Sequence, residues 1–395
     1  MTQVFVTGMG IISAIGRGVN ENLEHLRKGQ TGIDSAKILH SKYASVFPFG
    51  EVKFTNKELA DISNSTNHLG RIDLLAMIAF DEAIKNASLS SEELSSYETA
   101  IISSSTVGAM SNADILYSDL QTTTESSQYI DTYSFDAHIT NIMKMHNMRG
   151  FTSTINTACS SSANAIMLGA RLIKSGRAKR AIVGGTDSLG KFTVNGFNAL
   201  RILSEQPCMP FDKNRSGLTL GEGSAYLVLE SEEIAQGKKK YAKISGFGNT
   251  NDAYHPSSIS PEATGVIGAM RTALDSAKLQ SSEINYINAH GTGTENNDIS
   301  EMKGLTTIFD KVPPFNGTKS YTGHTLAAAG AIEAIFSVFS IENQELYPSL
   351  NCKNPIEEYG ISPIQKFIAG ESINHVLSNS FGFSGNCTSL IISKA

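Results

Sequence analysis

Apolar and polar positions along the chain fall into two alternating patterns. Val4-Phe5-Val6-Thr7-Gly8-Met9-Gly10 reads as a buried strand ending in a glycine turn, and Ala242-Lys243-Ile244-Ser245-Gly246-Phe247-Gly248 repeats the layout, so two related halves are expected. Apolar residues spaced by three and four mark helices over 20–28, 72–86 and 163–173, whereas 100–103, 180–185, 284–289 and 389–393 read as short strands. Strands that alternate with helices predict an α/β fold with a largely parallel sheet. The charged stretch 231–240 reads as a solvated connection, which divides the chain into 1–240 and 241–395. The polar segment 111–148, with Thr122-Thr123-Thr124 and two histidines, is expected to form loops and short helices that cap a site or meet another subunit.

Three junctions between these elements carry reactive side chains. Asn156-Thr157-Ala158-Cys159-Ser160-Ser161-Ser162 turns a Thr-rich strand into the helix over 163–173, with the serines as candidates to cap its start. A buried cysteine is usually only a small hydrophobe. At a helix N-terminus, however, the dipole favours thiolate, and the free N–H groups there can receive an oxyanion, so Cys159 reads as a nucleophile. The strand at 284–289 runs into His290-Gly291-Thr292-Gly293-Thr294, and Lys319-Ser320-Tyr321-Thr322-Gly323-His324 leads into an apolar helix over 325–340. Sites in α/β sheets assemble at strand C-terminal ends, which favours His290 and His324 as functional and leaves His255 as structural. Leu220-Gly221-Glu222-Gly223 reads as a structural corner.

Composition narrows the classes. The 395 residues are 40% hydrophobic and 18% charged, ordinary for a soluble enzyme. A net charge of −6 gives no reason to expect nucleic acid. The longest apolar segment, 326–339, contains Glu333, falls short of the ~18–20 residues of a membrane span, and no secretion signal is visible, so a cytoplasmic protein is expected. Four cysteines without C-x-x-C pairing predict neither a metal site nor disulfides.

Taken in order, Thr157-Ala158-Cys159, Pro210-Phe211-Asp212-Lys213 with Gly221-Glu222-Gly223, His290 to Thr294, Lys319 to His324, and Asn379-Ser380-Phe381-Gly382-Phe383 resemble the elongating β-ketoacyl-acyl carrier protein synthases of the condensing-enzyme superfamily. The resemblance implies a thiolase-like fold, two similar halves in an α-β-α-β-α core with mostly parallel mixed sheets. It implies a Cys-His-His site of Cys159, His290 and His324, with Lys319 supporting the electrostatics and Glu333 as its partner. Thr292 and Thr294 would bind the phosphopantetheine arm, and the N–H groups of Cys159 and Phe383 would form the oxyanion hole, with Phe383 also gating the acyl pocket. Arg201 matches a docking position for the carrier protein, with Lys213 and Arg71 as weaker candidates. The implied reaction is decarboxylative condensation of an acyl thioester with malonyl-carrier protein in fatty acid biosynthesis. No cofactor is implied beyond the phosphopantetheine on the carrier, and a homodimer is expected.

The chain departs from the family pattern at its last loop, where Gly-Phe-Gly-Gly-Thr-Asn is replaced by Gly382-Phe383-Ser384-Gly385-Asn386-Cys387, and at Ser160. These departures keep a type II polyketide or aryl polyene pigment ketosynthase as an alternative, with a heterodimer in that case. A thiolase would need an acid/base cysteine such as Cys387 and leaves His324 unexplained. A chain-length-factor-like partner subunit would lack the cysteine.

Overall fold

The first strand, β1 (Val4–Ser13), is buried along its whole length, and its glycines explain why. A Cβ at Gly8 or Gly10 would lie 2.5 Å from Ala83 O or 2.0 Å from Ala79 O of helix α1 (Arg71–Asn86), so helix and strand pack backbone against backbone. The second copy of the motif does the same. A Cβ at Gly246 or Gly248 of β6 (Ala242–Asn251) would lie 2.4 Å from Ala273 O or 2.2 Å from Ala269 O of helix α3 (Thr264–Ala277). The computed structural model describes residues 2–65, 69–108, 110, 113–122, 127 and 130–395.

Between β1 and β6 lie β2 (Thr99–Ser104), β3 (Thr152–Ile155), helix α2 (Ser161–Lys174), β4 (Arg180–Asp187) and β5 (Gly223–Ser231). After α3 come β7 (Tyr286–Asn288), helix α4 (Glu295–Ile308), β8 (Phe315–Asn316), helix α5 (Ala329–Asn343), β9 (His375–Phe381) and β10 (Asn386–Ser393). The strands are linked in the order β8-β7-β9-β10-β6-β1-β5-β4-β2-β3. Outward from the β1/β6 pair the two arms are the same sequence of strands shifted by one half-chain. The internal repeat is therefore topological as well as local.

The expected parallel pairing holds only on the flanks, where β2 pairs β3 and β4, and β7 pairs β8 and β9. The middle pairs, β4–β5, β5–β1, β1–β6, β6–β10 and β10–β9, are antiparallel. The short Gly382 to Gly385 link between β9 and β10 accounts for one of these, since so short a connection can only reverse the chain. The apolar pattern alone does not predict strand β9.

Apolar packing sorts into layers. One cluster joins α1 to the outer face of the first arm, another joins α3 and α4 to the outer face of the second, and the largest packs α2 and α5 between the arms. The stretch Leu326–Asn343 has 18 residues and is apolar enough to cross a membrane by composition, but 89% of it is buried inside the fold, which makes it the core helix of the middle layer. Within 111–148 the described residues include helices Ala113–Thr122 and Ala137–His146, while Thr123 and Thr124 lie outside the described residues. His138 is buried there with Nε2 2.8 Å from Ser103 Oγ.

The two central helices meet closely at their N-terminal ends: a Cβ at Gly330 would lie 2.8 Å from Ala163 N, and Ala331 N donates to Ser162 Oγ at 2.9 Å. Gly330→Val should cost about 3 kcal/mol of stability, the scale of an overpacked core, read as a lower urea midpoint with an unchanged slope.

Candidate active site

Cys159 occupies a strained elbow between β3 and α2. Ala158 sits in the left-handed region at φ 54, which costs a non-glycine residue about 1 kcal/mol. The turn is over-determined by short bonds: Thr157 N donates to Ser161 Oγ at 2.9 Å and Ala158 N to Asn156 Oδ1 at 3.1 Å. Gly382 presses on it from the other half, where a Cβ would lie 2.6 Å from Thr157 O. None of the three serines caps α2 as expected. Ser160 is at the capping position without a capping bond, because its hydroxyl turns to Thr157 O and Asn386 Oδ1, both at 2.7 Å.

His290 leaves β7 into a loop whose Gly291 and Gly293 have φ 44 and 75, so the two glycines are required by the backbone. That loop is tied by a carboxylate that sequence reasoning missed. Glu301 on α4 accepts His290 N at 2.8 Å, Gly291 N at 2.9 Å and Asn379 Nδ2 at 3.1 Å. Its only signal is an acid on the buried side of the helix after the histidine loop. His324 stands before the middle-layer helix, as Cys159 does in the other arm, but five residues ahead of α5. A main-chain bridge to the Gly221 corner holds it, with His324 N to Thr219 O at 2.7 Å and Gly221 N to His324 O at 2.9 Å. The corner is structural, since a Cβ at Gly221 would lie 2.2 Å from Thr322 O. Asp187, also missed, accepts Ala327 N at 2.8 Å and Ser105 Oγ at 2.7 Å, fixing the turn that enters α5.

One ligand atom each of Cys159, His290 and His324 lies within 4.8 Å of the others, although the residues come from three separate junctions. Lys319, 1% exposed, places Nζ 3.1 Å from His290 Nδ1 and 2.5 Å from both His290 O and Glu333 Oε1. An ammonium only donates, so Nδ1 of His290 must accept and its proton sits on Nε2. Leu326 N likewise donates to His324 Nδ1 at 3.1 Å, which puts the second proton on Nε2 as well. Burial, reinforced by the Lys319 charge, holds both imidazoles well below the usual histidine range, so both are neutral N–H donors. A metal on the two Nε2 atoms would need protons on Nδ1, where Lys319 and Leu326 N–H already donate, so this donor set does not fit a cation.

The thiol itself departs from expectation. Burial pushes Cys159 up to about 11, against the pull of the Lys319 charge and of the main-chain N–H groups of Phe383 and Cys159. The helix N-terminus contributes at most ~2 kcal/mol, so the resting group at neutral pH is the thiol. Burial also pushes Glu333 and Glu301 up to about 7.

These groups open onto a cavity of about 340 Å³ lined by Cys159, His290, His324, Thr292, Thr294 and Phe383, among others. Thr292 Oγ1 and Thr294 Oγ1 are 2.8 Å apart on its wall. The Phe383 ring stacks on Phe197 at 5.8 Å, and exposed Arg201 stands at the rim. Arg71 does not belong to any docking face. It is buried and chelates Glu222 through Nε and Nη2, because the corner carboxylate needs a buried partner. Lys213 is exposed but does not line the cavity. His255 is exposed and its Nδ1 accepts Ser257 N at 3.2 Å, a turn contact. Cys387 packs at Gly265 of α3, where a Cβ would lie 3.0 Å from its sulfur, and does not line the cavity, which removes the acid/base cysteine a thiolase requires.

Because the Cys159 thiol is raised, its alkylation by iodoacetamide should still climb about tenfold per pH unit at pH 9, past the ordinary thiol value near 8.5. Lys319→Met should slow it further by removing the cation that opposes burial, with intact mass and peptide mapping reading the site.

Comparison with known proteins agrees with this geometry. The family models described as Beta-ketoacyl synthase, N-terminal domain, and Beta-ketoacyl synthase, C-terminal domain, match residues 1–235 and 241–353. A 3-oxoacyl-[acyl-carrier-protein] synthase 2 of Staphylococcus aureus (strain COL) is 32% identical over 406 residues, covering 99% of this chain and 98% of its own. The protein of that name from Vibrio cholerae is 30% identical over 412 residues, covering 99% of each. Among solved structures, the ishigamide ketosynthase/chain length factor aligns with TM-score 0.93 at 28% identity over 100% of this chain and 99% of its own. A ketosynthase (ApeO) in complex with its chain length factor (ApeC) from Xenorhabdus doucetiae aligns with TM-score 0.86 at 30% identity, over 100% and 98%. The chain belongs to the β-ketoacyl synthase family of condensing enzymes.

Proposed function

We propose that this protein is a 3-oxoacyl-[acyl carrier protein] synthase that extends an acyl chain by two carbons at the expense of malonyl-carrier protein. The observation that carries the reading is the convergence of a buried thiol with two neutral imidazoles, each with Nδ1 engaged as an acceptor and its proton therefore on Nε2. In the first step Cys159 Sγ attacks the acyl thioester, the oxyanion meets the N–H groups of Cys159 and Phe383, and the carrier's sulfur leaves with the thiol proton. No residue has to store that proton, which suits a thiol raised by burial. In the second step His290 and His324 donate to the malonyl thioester carbonyl while CO2 departs, and the developing enolate attacks the acyl-cysteine. The released thiolate takes a proton from solvent. Lys319, held by Glu333, acts through the His290 tautomer.

Thr292 and Thr294 on the cavity wall suit the amide and hydroxyl groups of a phosphopantetheine arm, so the only prosthetic group required arrives on the carrier. Carrier proteins are acidic, and Arg201 at the rim supplies a complementary charge. A homodimer is supported by β3, which ends the sheet, and by exposed Phe151 (42%), Ile130 (50%) and Leu120 (67%) in the neighbouring segment. In this reading the chain works in the cytoplasm as two halves, 1–240 carrying the nucleophile and 241–395 both histidines.

A second reading keeps the chemistry and changes the pathway. The ishigamide and ApeO ketosynthases, whose structures include chain length factors, favour a polyketide or pigment ketosynthase paired with such a subunit. The intact Cys159, His290 and His324 argue against this chain being the non-condensing partner.

Incubation with acyl-carrier proteins from acetyl to long-chain and aryl-primed should give an acyl adduct on wild type and none on Cys159→Ala by intact mass. The preferred acyl group separates the two pathways, and no adduct with any donor would remove the synthase reading. Arg201→Glu should raise the KM for carrier substrate about tenfold, as for loss of a docking charge, and leave Cys159 alkylation unchanged.

A further inference from the structure

Asn386 touches both sides of the nucleophile. Its Oδ1 accepts from Ser160 Oγ at 2.7 Å, the residue after Cys159, and from Asn164 Nδ2 at 3.0 Å and Asn249 Nδ2 at 2.9 Å. Its main-chain carbonyl accepts Gly382 N–H at 2.8 Å, the residue before Phe383. The segments that carry the N–H groups of Cys159 and Phe383, the two donors assigned to the oxyanion, are thus joined through one residue by two hydrogen bonds. Neither Ser160 nor Asn386 lines the cavity, so neither reaches a bound substrate.

The network reaches into both halves. Asn249 belongs to β6, Asn164 to α2, and Thr388 of β10 links them, with its Oγ1 donating to Asn164 Oδ1 at 2.9 Å and accepting from Asn249 Nδ2 at 2.8 Å. On its far side the loop is pinned as well. Ser384, at φ 63, donates its N–H to Pro256 O at 2.8 Å, and Gly385 fits so tightly that a Cβ would lie 2.1 Å from Asp252 Oδ1. A loop fastened at these points presents Phe383 N–H from a fixed direction.

We propose that Ser160 and Asn386 are positioning residues that set the separation between the N–H groups of Cys159 and Phe383, so that an acyl oxyanion meets both donors at once. The proposal rests on the reading of Cys159 as the acyl-accepting nucleophile. It predicts that breaking the Ser160–Asn386 bond weakens acyl transfer selectively, because only a tetrahedral oxyanion needs the two donors together.

Two probes separate this role from a merely structural one. With p-nitrophenyl acetate, Cys159 Sγ bonds the carbonyl carbon, the ester C–O bond breaks, the thiol proton goes to the departing nitrophenolate, and a tetrahedral oxyanion forms on the way. Iodoacetamide is attacked at a saturated carbon, iodide leaves, and no such oxyanion forms. Ser160→Ala and Asn386→Ser should each slow acetyl transfer to Cys159 about tenfold, less than the 10²–10³ of deleting an oxyanion donor outright. Alkylation should change less than about threefold, and the double variant should lose little more than the worse single one. Parallel loss of both rates, or no loss of acetyl transfer, would overturn the proposal. Failure of carrier-bound donors to acylate the wild type would count against the synthase reading alone, since the probe pair needs no carrier.

Discussion

The site depends on how closely the two central helices approach. Gly330 of α5 faces the backbone of Ala163 of α2 with no room for a side chain, and Ala331 N–H is bonded to Ser162 Oγ. Cys159 lies one turn before that contact on one chain segment, and His324 lies shortly before it on the other. Bringing the helix ends together therefore brings the thiol and an imidazole together, with the positive ends of both dipoles turned toward the same space. The repeat supplies two such helix starts, and the chain has put different chemistry on each.

A second constraint is the cost of placing charge in that space. Lys319 and Glu333 are both buried, and breaking such a pair costs ~3–5 kcal/mol because one charge is left uncompensated. What the pair secures is a proton position: a donor-only ammonium on His290 Nδ1 leaves the Nε2–H pointing the other way. His324 reaches the same state without a charge, through the Leu326 N–H. Two neutral donors and a protonated thiol leave little net charge beside the reacting atoms, so charge that develops during reaction finds dipoles already arranged for it.

Much of the element pattern is legible in the order of apolar residues. The helix expected over 72–86 is Arg71–Asn86 and the strand expected over 180–185 is Arg180–Asp187, but the glycines expected to end the repeated strands in turns lie inside strands that run on to Ser13 and Asn251, where they admit a helix backbone instead. Pairing direction is not legible there, since apolar periodicity identifies a buried strand without saying which neighbour it meets. The serines after Cys159 fail as caps for a related reason: the hydroxyls of Ser160 and Ser162 have partners in segments more than 160 residues away, Asn386 and Ala331, while that of Ser161 is taken up by the elbow at Thr157 and Ala158.

By itself the sequence determined which reactive side chains stand at element junctions, Cys159, His290 and His324, and the fold brings those three together; a thiol, an imidazole or a flexible glycine is marked by its own atoms and its immediate neighbours. The tertiary structure decided what state those groups are in. Whether Cys159 is thiol or thiolate, which nitrogen of His290 holds the proton, and whether Arg71 faces solvent or Glu222 are set by burial and by partners distant in the chain. Desolvation and hydrogen-bond direction are properties of packed space, and no spacing along a chain encodes them.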